Sequence, residues 1–401
     1  MKSLNPALKI IIPYFEATPK NKDLIADISL YSGSGGILLF QALLFKLTKK
    51  DKHERALEIT LAHIIRLIGN PQTVLSSTFA NGLAGIGWLF LFLKDLEILD
   101  PDTDIFFQDI DLYLSNALNE MCKRKNYDLL HGSMGIATYF LKREKPDQVK
   151  KVINFLYKEC ETENDEVKWS RFENVFNEDI YDLGFAHGIA GILHFLSKCE
   201  AQDIEREKCQ QMISGGFNFY FNNLQKQNEI GSFYGNHFPR KDYPDKKTAH
   251  FSRIAWCYGD LGILYTLYKI SKNSERTIFM EKIEAMLLET AKRRSFQQTR
   301  IEDAGICHGT SGAGIIYQIL YEETKKEIFR EESVYWLNES AKLIQEQKSN
   351  TSAQVNSISK SNSKELLEGM AGIGIALLSS EFQEYPDFKS LKAWRECLFL
   401  H

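Results

Sequence analysis

The sequence predicts an all-α fold, a double α/α toroid of seven helix pairs. Three observations lead there: a Gly-x-x-Gly motif present in seven copies, near-regular spacing, and an apolar run of helical period behind each copy. The copies begin at Gly33 (GSGGILLF), Gly82 (GLAGIGWLF), Gly132 (GSMGIATYF), Gly188 (GIAGILHFL), Gly259 (GDLGILYTLY), Gly309 (GTSGAGIIYQIL) and Gly369 (GMAGIGIALL). The intervals are 49, 50, 56, 71, 50 and 60 residues. One Gly-x-x-Gly carries little information, but seven at this spacing define an internal repeat.

Within a copy, residues such as Ile263, Leu264, Leu267 and Tyr268 recur at helical spacing. These Gly-headed helices are apolar on most sides and are expected to be buried. A second, amphipathic stretch follows, as at Ala56 to Ile68 or Met280 to Ala291, with Lys and Glu on one face. Each repeat therefore reads as an inner and an outer helix. Glycine at the inner helix start lets backbones approach where the units converge, and a count of 9 prolines suits a helical chain. An open solenoid ends in atypical, polar caps. Here the first and last copies are as apolar as the middle ones, which favours a closed ring.

Residues 1–401 read as a single domain of this kind. The interval between repeats four and five is about 20 residues longer than most. It contains Gly231-Ser-Phe-Tyr-Gly235 and the turn-rich run Pro239 to Thr248, so a small non-helical, β-containing insertion is expected at approximately 215–252. Ser349 to Ser363, rich in Ser and Asn, reads as a surface loop, with a lid over the ring opening as the alternative.

Charge and hydropathy remove several function classes. A net charge of −4 argues against a general nucleic-acid binder and against a polybasic membrane anchor. The longest apolar run, Gly82 to Leu93, is too short to cross ~30 Å of hydrocarbon. Ile10 to Ile12 is cut short by Pro13 and Glu16, so no signal peptide is read. Seven scattered cysteines fit a reduced, cytoplasmic chain better than a disulfide scaffold.

The repeats also permit a comparison inside one sequence. Immediately before the first glycine stand Ser32, Asn81, His131, His187, Tyr258, His308 and Glu368; one place earlier stand Tyr31, Ala80, Leu130, Ala186, Cys257, Cys307 and Leu367. Equivalent positions face one end of the ring. Cys257 and Cys307 fill the same slot in neighbouring repeats, and His308 follows Cys307. Two cysteines and a histidine form a three-ligand zinc site with one position open, the catalytic pattern. The alternative is two buried cysteines and a histidine bonded to a backbone carbonyl. Helix N-termini converging there favour thiolates and developing oxyanions. Two thiolate ligands make zinc a poor Lewis acid but keep a bound substrate thiolate nucleophilic. His187, in the repeat beside Cys257, is placed to move a proton. Asp128 precedes His131 in Tyr-Asp-Leu-Leu-His-Gly and could orient a histidine or hold a substrate amide; Arg253 lies one helical turn before Cys257. For each, a surface or packing role is the competing explanation.

With Trp256-Cys257-Tyr258-Gly259 and Cys307-His308-Gly309 on this repeat frame, reinforced by Ala186-His187-Gly188 and Tyr127-Asp128, the chain resembles the lanthipeptide cyclases, the LanC-like family. The resemblance spans essentially the whole chain. It implies a toroid holding one zinc on Cys257, Cys307 and His308, with His187 as acid/base residue and Asp128, Arg253 and Tyr258 lining the active site. It implies addition of a precursor-peptide cysteine thiol to dehydroalanine or dehydrobutyrine, giving lanthionine or methyllanthionine. The partners it implies are a dehydrated precursor peptide with its leader and a separate dehydratase and transporter. His131 stays outside the implied set. Two other functions compete: addition of glutathione to dehydroamino acids in proteins, and a zinc-stabilised peptide-binding scaffold without turnover. A toroidal glycosidase ranks low, because the rim positions offer one carboxylate, Glu368, and such enzymes need a pair.

Overall fold

A computed structural model describes residues 5–16, 26–100, 104–225, 231–244, 251–273, 276–349, 363–381 and 388–401. In every repeat the helix begins one residue after the first glycine. The Gly-headed helices are Ser34–Thr48, Leu83–Asp95, Ser133–Lys142, Ile189–Ala201, Asp260–Asn273, Thr310–Thr324 and Met370–Ser379. They are buried nearly all round, as Leu83 to Leu93 shows. Partner helices follow the first six: Asp51–Ile68, Asp104–Lys123, Pro146–Glu159, Arg206–Asn222, Met280–Thr290 and Glu327–Ser349. In Asp51–Ile68 the buried residues His53, Ala56, Leu57, Thr60 and Ile64 form one stripe.

The seventh repeat departs from the expected pattern. Among the described residues it is followed only by Phe388–Lys392 and a 3-10 turn, Ala393–Leu398. Besides the Gly-headed Ser34–Thr48, the helix packed on Met370–Ser379 is the N-terminal Pro6–Ile11. The chain's beginning thus completes the pair that its end leaves open.

Each Gly-headed helix is preceded by a loop that doubles back on it. The carbonyl of the residue six places before each glycine lies against that glycine's Cα. A Cβ on Gly82 would stand 2.1 Å from the Ser76 oxygen, and one on Gly85 2.0 Å from the Phe79 oxygen. The figures are 1.9 Å for Gly312 and Ile306 and 1.8 Å for Gly372 and Leu366. These are well inside any real Cβ contact, so the glycines serve their own repeat's loop first, and some also admit a neighbouring repeat, as Gly36 does with Leu366 Cβ at 2.6 Å. The same loop carbonyl accepts the helix's first N–H: Ser34 from Asp27 at 2.9 Å, Leu83 from Ser76 at 2.8 Å, Ser133 from Asn126 at 3.0 Å and Thr310 from Asp303 at 2.9 Å. That residue's side-chain oxygen also closes a turn on the N–H two places on, at 2.8 Å for Asp27, 3.1 Å for Asn126, 2.8 Å for Asp182 and 2.7 Å for Asp303.

The chain divides into two compact units. One comprises Met1–Asn116, Glu302–Ile319 and Arg330–His401 and contains repeats one, two, six and seven. Within it the loops are stitched by backbone hydrogen bonds. Tyr31 N–H donates to Ala80 O at 3.1 Å, Ile306 and Cys307 N–H share Leu367 O at 2.8 and 3.1 Å, and Leu366 N–H donates to Tyr31 O at 3.1 Å. The last repeat is therefore bonded to the first.

The other unit, Ala117–Ile301 with Leu320–Phe329, contains repeats three to five. It also carries the β structure: a hairpin of β1 (Glu161–Glu163) and β2 (Glu166–Lys168), and a three-stranded antiparallel sheet of β3 (Arg171–Glu173), β4 (Glu178–Asp182) and β5 (His237–Pro239) in that order. The expected insertion at 215–252 needs correction. The helix Arg206–Asn222 runs through 215, because Gly215 and Gly216 admit Val167 and Leu193 against its backbone. Among the described residues the insertion contributes one strand of five; the other four lie in the 56-residue interval before repeat four. Residues 226–230 and 245–250 of the insertion, and 350–362 of the Ser/Asn-rich stretch, lie outside the described residues. No helix among the described residues is long and apolar enough to cross a membrane.

The loop contact gives a paired expectation. Gly85→Ala forces a Cβ onto a backbone oxygen and should destabilise by about 3 kcal/mol or more. Gly69→Ala, at φ −75° with nothing nearer than 3.5 Å, should be neutral or stabilising by up to about 1 kcal/mol. Urea denaturation midpoints of the two variants against wild type check this.

Candidate metal centre and proton-handling pair

The Sγ atoms of Cys257 and Cys307 and a ring nitrogen of His308 lie within 4.8 Å of one another. Cys257 is buried and the other two are half-buried. Two thiols and an imidazole are the soft donor set that zinc prefers. Tetrahedral ligands at zinc–sulfur distance sit ~3.8 Å apart, so the donors need only a small contraction to fit the ion. Asp303 Oδ2 lies 3.4 Å from His308 Nε2.

Cys257 and Tyr258 sit on the loop of repeat five. Phe185 and Ala186 N–H both donate to the Cys257 carbonyl, at 2.9 and 3.1 Å, which brings His187 beside this loop. The His187 ring lies 6.0 Å from that of Tyr258. Its Nδ1 is 2.6 Å from Asp128 Oδ2. Asp128 is itself fixed, because Oδ1 accepts the N–H groups of Leu130 and His131, both at 2.7 Å. Burial opposes ionisation of both partners, but their hydrogen bond and opposite charges prevail. The Asp128 carboxyl is held below its ordinary range and the His187 imidazole above its own. His131 stacks on His187 with centroids 5.8 Å apart, and burial pushes its ring to a lower value.

Tyr258 donates its hydroxyl to Asp182 Oδ2 at 3.0 Å. That oxygen also accepts from Arg171 Nε at 3.0 Å and Nη2 at 2.6 Å. Burial and the Asp182 charge raise the Tyr258 phenol well above its ordinary value, so it stays protonated. Asp182 and Arg171 escape the comparison of positions next to the glycine. The signal available was the slot six places earlier, which reads Asp27, Ser76, Asn126, Asp182, Arg253, Asp303 and Ser363.

Arg253 is the exception in that slot. The segment is not helical, so a helical turn does not relate Arg253 to Cys257. Ser252 Oγ takes over the loop's task, accepting Asp260 N–H at 2.7 Å. Gly259 is the one N-cap glycine with φ in the left-handed range, +98°, which only glycine adopts without strain. The half-buried Arg253 is thereby released from turn-making. The loop is anchored by Asp260, fully buried, which accepts from Phe233 and Tyr234 N–H at 3.1 and 3.0 Å and pairs with Arg293 at 2.7 Å. Arg293 also donates to Ser252 O.

The model of lanthionine synthetase C-like proteins matches residues 25–392. The chain belongs to that family. It is 25% identical over 331 residues to the nisin biosynthesis protein NisC of Lactococcus lactis subsp. lactis, covering 76% of this chain and 77% of NisC. It shares its fold with nisin cyclase, a toroid of this family: the TM-score is 0.79 at 20% identity, over 98% of this chain and 96% of that one. The expected fold class is the observed one.

The pH dependence follows from the Asp128–His187 pair. A lowered Asp128 stabilises the fold above its unfolded pKa of about 3.9, and this contribution is lost as pH falls through the folded value. A raised His187 stabilises below about 6.5, and this is lost as pH rises through the folded value. The pair thus acts fully between about pH 4 and 6.5. Asp128→Asn should lose most stability in that window, with the gap from wild type narrowing above it. By NMR the His187 ring should titrate above about 6.5 in wild type and below it in the variant, where burial acts without the opposing charge.

Proposed function

We propose that the protein is a zinc-dependent lanthipeptide cyclase. It would add cysteine thiols of a dehydrated precursor peptide to dehydroalanine or dehydrobutyrine, closing lanthionine or methyllanthionine rings. The observation that carries this reading is the convergence of Cys257, Cys307 and His308, with a hydrogen-bonded Asp128–His187 pair joined to the Cys257 loop.

Cys257, Cys307 and His308 would hold the metal, which when bound keeps a substrate cysteine as thiolate at neutral pH. The remaining roles fall to the chain. Thiol addition breaks the S–H bond and the C=C π bond of the dehydro residue and forms a C–S bond at the β-carbon and a C–H at the α-carbon, with no net oxidation. Negative charge passes through the amide oxygen of the dehydro residue. Arg253 supplies a cation on the Cys257 loop to meet that charge. His187, with Nδ1 committed to Asp128, would use Nε2 to deliver the α-carbon proton, and Asp128 favours the charged form of the ring and orients it. Tyr258, its proton donated to Asp182, offers its oxygen as an acceptor for a substrate N–H. Holding both reacting groups together would supply proximity.

The substrate would arrive with its leader attached, its dehydro residues made by a separate dehydratase, and leave by a transporter. A reducing cytoplasm keeps both the peptide's and the protein's thiols free.

Elemental analysis should find about one zinc per chain in wild type and none in Cys307→Ala, as one ligand lost from three removes the site. With a dehydrated, cysteine-containing peptide, wild type should consume the thiol, read as loss of maleimide labelling at unchanged peptide mass. His187→Ala should keep its zinc and slow that loss by about 10²–10⁴-fold. Zinc-loaded wild type that leaves every thiol free would refute the cyclase reading, and a glutathione adduct on a dehydrated protein would favour the intermolecular reaction.

A further inference from the structure

A metal-bound imidazole has a second ring nitrogen, and a carboxylate accepting its N–H fixes the ring's direction and strengthens it as a ligand. We propose that Asp303 is this partner for His308, making Asp303 a positioning residue for the metal centre and Nδ1 the ligating nitrogen. The inference rests on the zinc reading above.

The repeat supplies the argument. In repeats one to four and six, the residue six places before the first glycine offers one side-chain oxygen to close its turn. Asn126 does so in repeat three at 3.1 Å and Ser76 in repeat two at 3.3 Å, without any charge. A carboxylate exceeds that need by one oxygen and one charge. Asp303 meets the turn requirement with Oδ1 on Gly305 N–H at 2.7 Å, while its carbonyl takes Thr310 N–H at 2.9 Å. The residue is thus pinned at two points, and Oδ2 is directed to His308 Nε2 at 3.4 Å. Repeat four shows the same device, where Asp182 closes the turn with Oδ1 and spends Oδ2 on Tyr258 and Arg171. In both cases the second oxygen serves a residue next to a first glycine or beside one.

Asp303→Asn separates the two tasks, since the amide oxygen can still close the turn while the charge is gone. Asp27→Asn makes the same change in the equivalent slot of repeat one and serves as control. Zinc affinity of the full chain, by competition with a chelator of known affinity, should fall about 10–100-fold in Asp303→Asn and stay unchanged in Asp27→Asn. Metal-free melting midpoints should match wild type. If wild type takes up zinc and Asp303→Asn holds it equally well, the inference is overturned while the zinc site stands. If wild type takes up none, both fall. Should Asp303→Asn also lower the metal-free midpoint, the cobalt(II)-substituted proteins decide. A changed ligand-field spectrum supports a reoriented His308, and an unchanged one overturns the inference.

Discussion

Each repeat hangs on one contact: a glycine Cα against the carbonyl oxygen six residues earlier in the chain. It forces the loop to double back on the helix it precedes, excludes any side chain at the glycine and, in repeats one, two, three, six and seven, supplies that helix with an acceptor for its first N–H. Helix nucleation is costly because several residues must be ordered before hydrogen bonds accumulate. A loop that pre-places an acceptor at the first turn lowers this cost. Loops of this shape then present their own N–H and carbonyl groups to the next repeat, which is how Leu366 and Leu367 reach Tyr31 and how Phe185 and Ala186 reach Cys257.

The chemistry is built on that loop by small departures from it. The positions just before the glycine lie where loop meets helix, so side chains there are held by backbone on both sides. His187, Cys257, Tyr258, Cys307 and His308 all take these places. In repeat five the rule is relaxed: Arg253 replaces the turn-forming residue, Ser252 does its work, and Gly259 takes up the left-handed backbone that results. A buried ion pair of Asp260 and Arg293 secures the altered loop. Burying two charges is expensive unless they are paired and hydrogen-bonded, and both groups have further partners here. Rigidity is thus concentrated where Cys257 and Tyr258 must be held.

The candidate site was legible to the extent that it obeys the repeat. Cys257, Cys307 and His308 stood out as equivalent positions, and the structure brings their donor atoms together. Asp128 has two possible tasks by sequence, and in the structure its Oδ2 is bonded to His187. Asp182 and Arg171 were not legible. Asp182 looks like any turn residue, and Arg171 reaches it from β3, a three-residue strand whose register no local pattern specifies. The sequence points to β structure in the longest interval, yet among the described residues β5 alone comes from there, because the pairing of β4 with β5 is a tertiary event.

What the sequence determined by itself is whatever repeats: the mainly helical class, the point where each Gly-headed helix begins, their burial and the slots that carry the clustered cysteines and histidines. Those features are set by local backbone sterics and by the period of apolar residues, both printed in the chain. The tertiary structure decided what joins distant segments. It paired the seventh helix with the N-terminal Pro6–Ile11, carried the helix through Gly215 and Gly216 because Val167 and Leu193 pack there, and gave Asp128, Asp182 and Asp303 their partners. A carboxylate in a turn has two oxygens. Sequence accounts for the one used locally; only packing shows where the other points.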